Sequence, residues 1–81
     1  VKELNIMPTK NHEIVKIRNG IARQLRDTRI SAHLSLAQVE KLSGIPADII
    51  DRLEVGIKPV DLGHLHQLAK AYGKAVKITL I

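Results

Sequence analysis

Thirteen lysines and arginines, eight aspartates and glutamates and four histidines are the side chains with which this chain could do acid–base, metal or polyanion chemistry. The histidines assemble no metal site by spacing. His64 and His66 are two residues apart in a helical stretch, so they point about 200° apart and cannot share an ion. His12 and His33 have no carboxylate constellation around them, and the chain has no cysteine to supply thiolates or disulfides. No Ser-His-Asp arrangement, phosphate-cradling glycine loop or paired-carboxylate cleft is evident, and a chain of 81 residues has little room for one. No enzymatic activity, metal or cofactor is therefore expected. The basic excess is the more informative chemistry. A net charge of +5 and a pI near 9.9 favour a polyanionic partner through counterion release.

The elements that must position these charges follow from periodicity. Residues 1–10 are ambiguous: Leu4 and Ile6 alternate with polar neighbours, so Lys2–Met7 reads as a short strand ended by Pro8, or as an arm. From Asn11, a reasonable cap, Ile14, Ile17, Ile21 and Leu25 recur at spacings of three and four, the stripe of a first amphipathic helix running to about Ser31. Gly20 is its weak point. Ser35 caps a second helix through Val39 and Leu42, stopped at Ser43-Gly44. Pro46 suits the first turn of a third helix whose buried face is Ile49, Ile50 and Leu53, with Gly56 placed to take φ > 0 at its end. Asp61 caps a fourth helix bearing Leu62, Leu65, Leu68, Ala69 and Tyr72, closed by Gly73. The tail then alternates with a period of two. Val76, Ile78 and Leu80 share one face, so residues 75–81 read as a strand. Such a strand needs a partner, either Lys2–Met7 or the same strand of a second chain across a dimer axis.

The hydrophobic fraction of 44% includes a single aromatic residue, Tyr72, so the core must be aliphatic, which suits a small helix bundle of one domain. No run of roughly 18 apolar residues is present to span a membrane, and no signal-peptide pattern appears. A cytoplasmic protein without membrane association is the expectation. Three segments follow: an arm or short strand over 1–10, a helical domain over 11–73, and a terminal strand over 74–81 that could mediate dimerisation.

The second and third helices, joined by the Ser43-Gly44-Ile45 corner, make a helix-turn-helix, a shape that fits one helix into the DNA major groove. Residues from about Ile21 to Tyr72 resemble the Xre-type, or phage repressor/Cro-like, helix-turn-helix family. The shared pattern is Arg29 late in the first helix, Leu34-Ser35, the corner Gly44, the stretch Ile50-Asp51-Arg52-Leu53-Glu54-Val55-Gly56, and Leu62, Leu65 and Leu68-Ala69, all in register. The resemblance implies a mainly all-α fold, a lambda-repressor-like bundle of four to five helices, here with a short C-terminal β-strand. A helix-turn-helix followed by that strand also looks like regulators that act as antitoxins, which implies a toxin protein as a further partner.

The resemblance also assigns roles. Arg29 and Glu54 would form an ion pair tying the first helix to the third; Arg29 could in addition be aimed at a phosphate, but a purely structural pair is the plainer reading. Ser35 would offer its hydroxyl to a phosphate. Leu36 stands where the family often has glutamine, and cannot hydrogen-bond. The outward positions of the third helix are Pro46, Ala47, Asp48 and Arg52. Arg52 can take guanine O6 and N7 in bidentate fashion, Ala47 can touch a thymine methyl, and Asp48 can accept from cytosine N4. Lys41 and Lys58 are the candidate phosphate clamps. The basic face of the first helix, Lys16, Arg18, Arg23 and Arg26, could add to the positive field, although a simply solvated helix face is the plainer reading. Glu40 replaces the small residue expected against the third helix, which implies looser packing there or a side chain that escapes to solvent. Asp48, Asp51 and Glu54 set three acids against Arg52 on the third helix, an odd balance for a surface facing phosphates.

Two functional classes are therefore expected. The first is a sequence-specific transcriptional regulator, a homodimer on a palindromic double-stranded operator, acting as a repressor or autoregulator. The second is a protein-interaction module that keeps the scaffold without reading DNA, as the acidic third helix and Leu36 suggest.

Overall fold

In the computed structural model of the chain, residues 12–80 are described. The expected arm or strand over 1–10, the cap Asn11 and the last residue, Ile81, lie outside them. Four α-helices follow in order: α1 His12–Ser31, α2 Leu36–Ser43, α3 Ala47–Glu54 and α4 Leu62–Ala71. Among the described residues no helix is long and apolar enough to cross a membrane.

The boundaries are set by local chemistry. Ser35 opens α2 with a reciprocal capping box: Gln38 N–H donates to Ser35 Oγ at 3.1 Å, and Ser35 N–H donates to Gln38 Oε1 at 2.8 Å. Asp61 opens α4 by accepting the His64 N–H. Each helix closes on a left-handed residue. His33 does this after α1 with φ 60°, Gly44 after α2 with φ 79°, Gly56 after α3 with φ 82° and Gly73 after α4 with φ 72°. After α1, α3 and α4 the backbone makes the paired bonds of a Schellman turn, for example Ile57 N–H to the Arg52 carbonyl and Gly56 N–H to the Leu53 carbonyl. Gly56 has a second reason to lack a side chain. A Cβ there would lie 2.6 Å from Asn19 Oδ1 on α1.

The core consists of Leu25, Val39, Ile45, Ile50, Leu53, Leu68 and Tyr72, with Ile21, Leu34, Leu36, Ile49 and Leu65 packed at its edge. α2 lies against α3 and α4, and α1 crosses α3. The hydrophobic stripe expected along all of α1 is buried only in its second half. Ile14 and Ile17 remain 49% and 63% exposed. The reason is length: a helix of 20 residues spans about 30 Å, whereas α2, α3 and α4 have 8, 8 and 10 residues and cover only part of it. Leu62, at the outer end of α4, and Leu42, on the far side of α2, are exposed too.

Two further expectations are corrected. Pro46 is the cap residue of α3 rather than its first helical residue, because its ψ of 141° is extended while its carbonyl already accepts from Ile49 and Ile50. The terminal strand does not form: residues 74–80 run without regular structure, and no strand occurs among the described residues. Val76, Ile78 and Leu80 have the alternation of a strand, yet a strand is defined by ladder hydrogen bonds to a neighbour, and none of the described residues supplies them. The segment instead lies by α1 and α4, where Val76 and Ile78 wall a shallow apolar groove with Ile21, Leu65 and Tyr72.

Candidate nucleic-acid interface

The helix-turn-helix corner is built from its smallest polar residue. Ser43 Oγ–H donates to the Val39 carbonyl at 2.7 Å, and the same oxygen accepts the Ile45 N–H at 3.1 Å. Gly44 takes the left-handed conformation, its N–H bonded to the Glu40 carbonyl. Ile45 then drops into the core. These three residues turn the chain through the corner and fix how α3 leaves α2.

Arg29 locks that unit to α1. Its Nε–H donates to Glu54 Oε2 at 2.8 Å, one Nη donates to Glu54 Oε1 at 3.0 Å, and the other donates to the Leu34 carbonyl at 2.9 Å. The guanidinium thus joins the end of α1, the entry to α2 and the end of α3. The Glu54 side chain is 3% exposed and that of Arg29 15%. The hydrogen bond to Glu54 raises the Arg29 pKa above its ordinary value against the opposing effect of burial. Each guanidinium nitrogen thus donates to a partner inside the protein.

Pinned at both ends, α3 buries Ile50, Leu53 and Glu54 and turns Asp48, Asp51 and Arg52 to solvent, with Ala47 half-buried and Pro46 exposed before its first turn. Val55, just past the helix, is exposed. Ser35 and Lys41 of α2 are exposed, and Lys58 in the following loop is half-buried. The Ser35 oxygen is used as an acceptor by Gln38, but its hydroxyl proton remains to be donated, so capping and a phosphate contact are compatible. Leu36 is half-buried and packs at the core edge, which accounts for an apolar side chain at that position. Of the basic residues on α1, Arg23 and Arg26 line a groove with Asn19, Ile30 and Val55 at the end of α3.

Glu40 meets one of its two expectations, reaching solvent, and departs from the other. It is exposed, and instead of loosening the motif it bridges it: Glu40 Oε1 accepts the Ala47 N–H at 3.3 Å. The signal for this contact was indirect, because Pro46 has no side chain able to cap α3 and the first N–H groups of any helix need outside acceptors. The Ser35/Gln38 box was the more direct miss, since Ser-x-x-Gln ahead of an apolar run is its signature.

With this geometry in place, comparison with known proteins gives one finding of identity. No curated protein and no solved structure matches the chain. Residues 21–75, about two-thirds of the chain, match the helix-turn-helix domain family. The match starts in α1 one residue before Ala22, the first buried residue, and ends just past α4, so it spans the packed unit. The chain belongs to the helix-turn-helix domain family.

Proposed function

We propose that this chain is a sequence-specific DNA-binding transcriptional regulator that acts as a homodimer on a palindromic operator, with one α3 in each of two successive major grooves. The observation that carries the reading is the mounting of α3. Its inner side is clamped by Arg29 and the core, while its outer side leaves Arg52 in solvent beside Asp48. Arg52 is the specificity contact to guanine. Ala47 and Asp48 contribute contacts to a thymine methyl and to cytosine N4, and Ser35, Lys41 and Lys58 hold phosphates. Autorepression is the setting, with a toxin as the protein partner of an antitoxin-like regulator; the unpaired tail with Val76, Ile78 and Leu80 is the dimerisation element.

The test is a titration against random duplexes and against duplexes selected from a random pool. Binding at micromolar protein or below, weakening as salt rises, is expected. Absence of binding at low salt, or binding indifferent to salt, sinks the reading.

A second reading keeps the scaffold as a protein-interaction module. What favours it is the outward charge of the motif, where Glu40, Asp48 and Asp51 are all exposed against Arg52 and Lys41. It predicts that Arg52→Ala leaves function intact while polar substitutions at Val76, Ile78 or Leu80 abolish assembly.

A further inference from the structure

α3 begins without a capping side chain of its own. Its cap residue is Pro46, and the Pro46 carbonyl takes the Ile49 and Ile50 N–H groups, leaving the first N–H of the helix to find an acceptor elsewhere. Glu40, one helix earlier in the chain, provides it at 3.3 Å. The contact does two things at once. It caps α3 from α2, stiffening the corner between them, and it holds a carboxylate in a fixed place at the leading end of the helix that would enter the groove. That carboxylate remains exposed. The other exposed charged residues of the two helices are Lys41, next in sequence on α2, and Asp48, Asp51 and Arg52 on α3.

We propose that Glu40 is a specificity-determining residue: held at the head of α3, its carboxylate penalises docking on the phosphate backbone and tolerates only base edges that present an amino group. The proposal rests on the DNA-binding reading. Binding to DNA of arbitrary sequence is almost wholly phosphate attraction, so a fixed negative charge at the contact edge is felt there in full. On the target the carboxylate faces the groove floor. It is an acceptor only, so it matches the amino groups of cytosine N4 or adenine N6 and is mismatched with guanine O6 or thymine O4. Glu40 therefore weakens arbitrary binding more than target binding.

Glu40→Gln separates charge from capping, because the amide keeps an oxygen for the Ala47 N–H and loses the negative charge. Kd is measured for a random and a selected duplex at low salt, on wild type, Glu40→Gln and Glu40→Ala, with Glu13→Gln on α1 as a control for net charge. Glu40→Gln is expected to tighten random-duplex binding about fivefold and selected-duplex binding less than twofold. Glu13→Gln is expected to change either by less than twofold. Glu40→Ala shares the loss of discrimination and also melts at lower temperature, and adding Pro46→Ser restores the melting temperature by supplying a local cap. The proposal is overturned if Glu40→Gln leaves random binding unchanged, tightens both duplexes equally, or is matched by Glu13→Gln. Failure of every variant, wild type included, to bind any duplex overturns the DNA reading itself and this proposal with it.

Discussion

Arg29–Glu54 and Arg52–Asp48 bring the same charged groups to opposite sides of one short helix, with opposite outcomes. On the inner side, the guanidinium and carboxylate meet through two bonds of 2.8 and 3.0 Å, a third bond engages the Leu34 carbonyl, and the Glu54 side chain is sealed from water. On the outer side, Asp48 and Arg52 are exposed, with no ion pair between them. Burial makes the difference. An inner charge has exchanged water for fixed partners, so its position is determined and its removal strands the other member of the pair. An outer charge keeps its water and its rotamer freedom, contributes little to stability, and stays available to a ligand. The two sides of α3 thus divide sealed architecture from solvent-facing charge at the spacing of a helical turn.

The largest effect expected from this division is on stability. Glu54→Ala should cost about 3–5 kcal/mol in urea unfolding, because it leaves a mostly buried guanidinium without its carboxylate. Arg52→Ala should change stability by less than about 0.5 kcal/mol. The same Arg52→Ala should weaken binding to a selected duplex by about 1–3 kcal/mol and relax preference at one base position, while affinity for random DNA changes much less. If Arg52→Ala proves as destabilising as Glu54→Ala, the two sides of α3 are not functionally distinct.

What could be read from the sequence follows the same division. The inner side was readable where its constraints are local and periodic: Gly44, Gly56 and Gly73 stand where the backbone turns left-handed. The Arg29–Glu54 pair joins residues 25 apart and was legible only through the family resemblance. His33 takes φ 60° without the signal that a glycine gives, as a residue type that tolerates that conformation. The unreadable features depend on what lies across space. Ile14 and Ile17 fit the helical stripe, but periodicity cannot say how far the other helices extend to cover it. Val76, Ile78 and Leu80 fit strand alternation, but alternation supplies no neighbour to hydrogen-bond. Glu40 was legible only as a residue that loosens the packing or escapes to solvent, because residue spacing does not place its carboxylate beside the Ala47 N–H.

Smaller effects probe how the frame and the reading surface share a residue. Ser35 is both the acceptor in the α2 capping box and the candidate phosphate donor. Ser35→Ala should cost about 1 kcal/mol of stability and also weaken DNA binding, since both roles use the one oxygen. Ser35→Asp keeps the cap but replaces the hydroxyl donor with a carboxylate. It should retain near wild-type stability while losing more affinity than Ser35→Ala, as judged by thermal melts and duplex titrations side by side. Equal affinity for the two variants would mean that Ser35 acts on the helix alone.

The smallest effect, and the most selective in pH, concerns Tyr72. Its ring fills the core, its hydroxyl is buried without a hydrogen-bond partner, and burial, assisted by the nearby Glu54 carboxylate, pushes its pKa up to about 12, with Arg29 partly opposing. A folded-state pKa above the ordinary value of 10.0 means that the folded chain holds this proton more tightly than the unfolded chain does. The corresponding stability is complete below pH about 10 and is lost as pH rises toward about 12, where the unfolded chain ionises first. Tyr72→Phe removes the ionisable group and an unpartnered hydroxyl together while keeping the ring. Near pH 7 the variant should be within about 1 kcal/mol of wild type, because no hydrogen bond is lost with the hydroxyl. Between pH 9 and 11 its melting temperature should fall less steeply than that of wild type. Parallel slopes for the two proteins over that interval would place the phenol in contact with water or with an acceptor, and would remove Tyr72 from the inner, sealed side of the comparison.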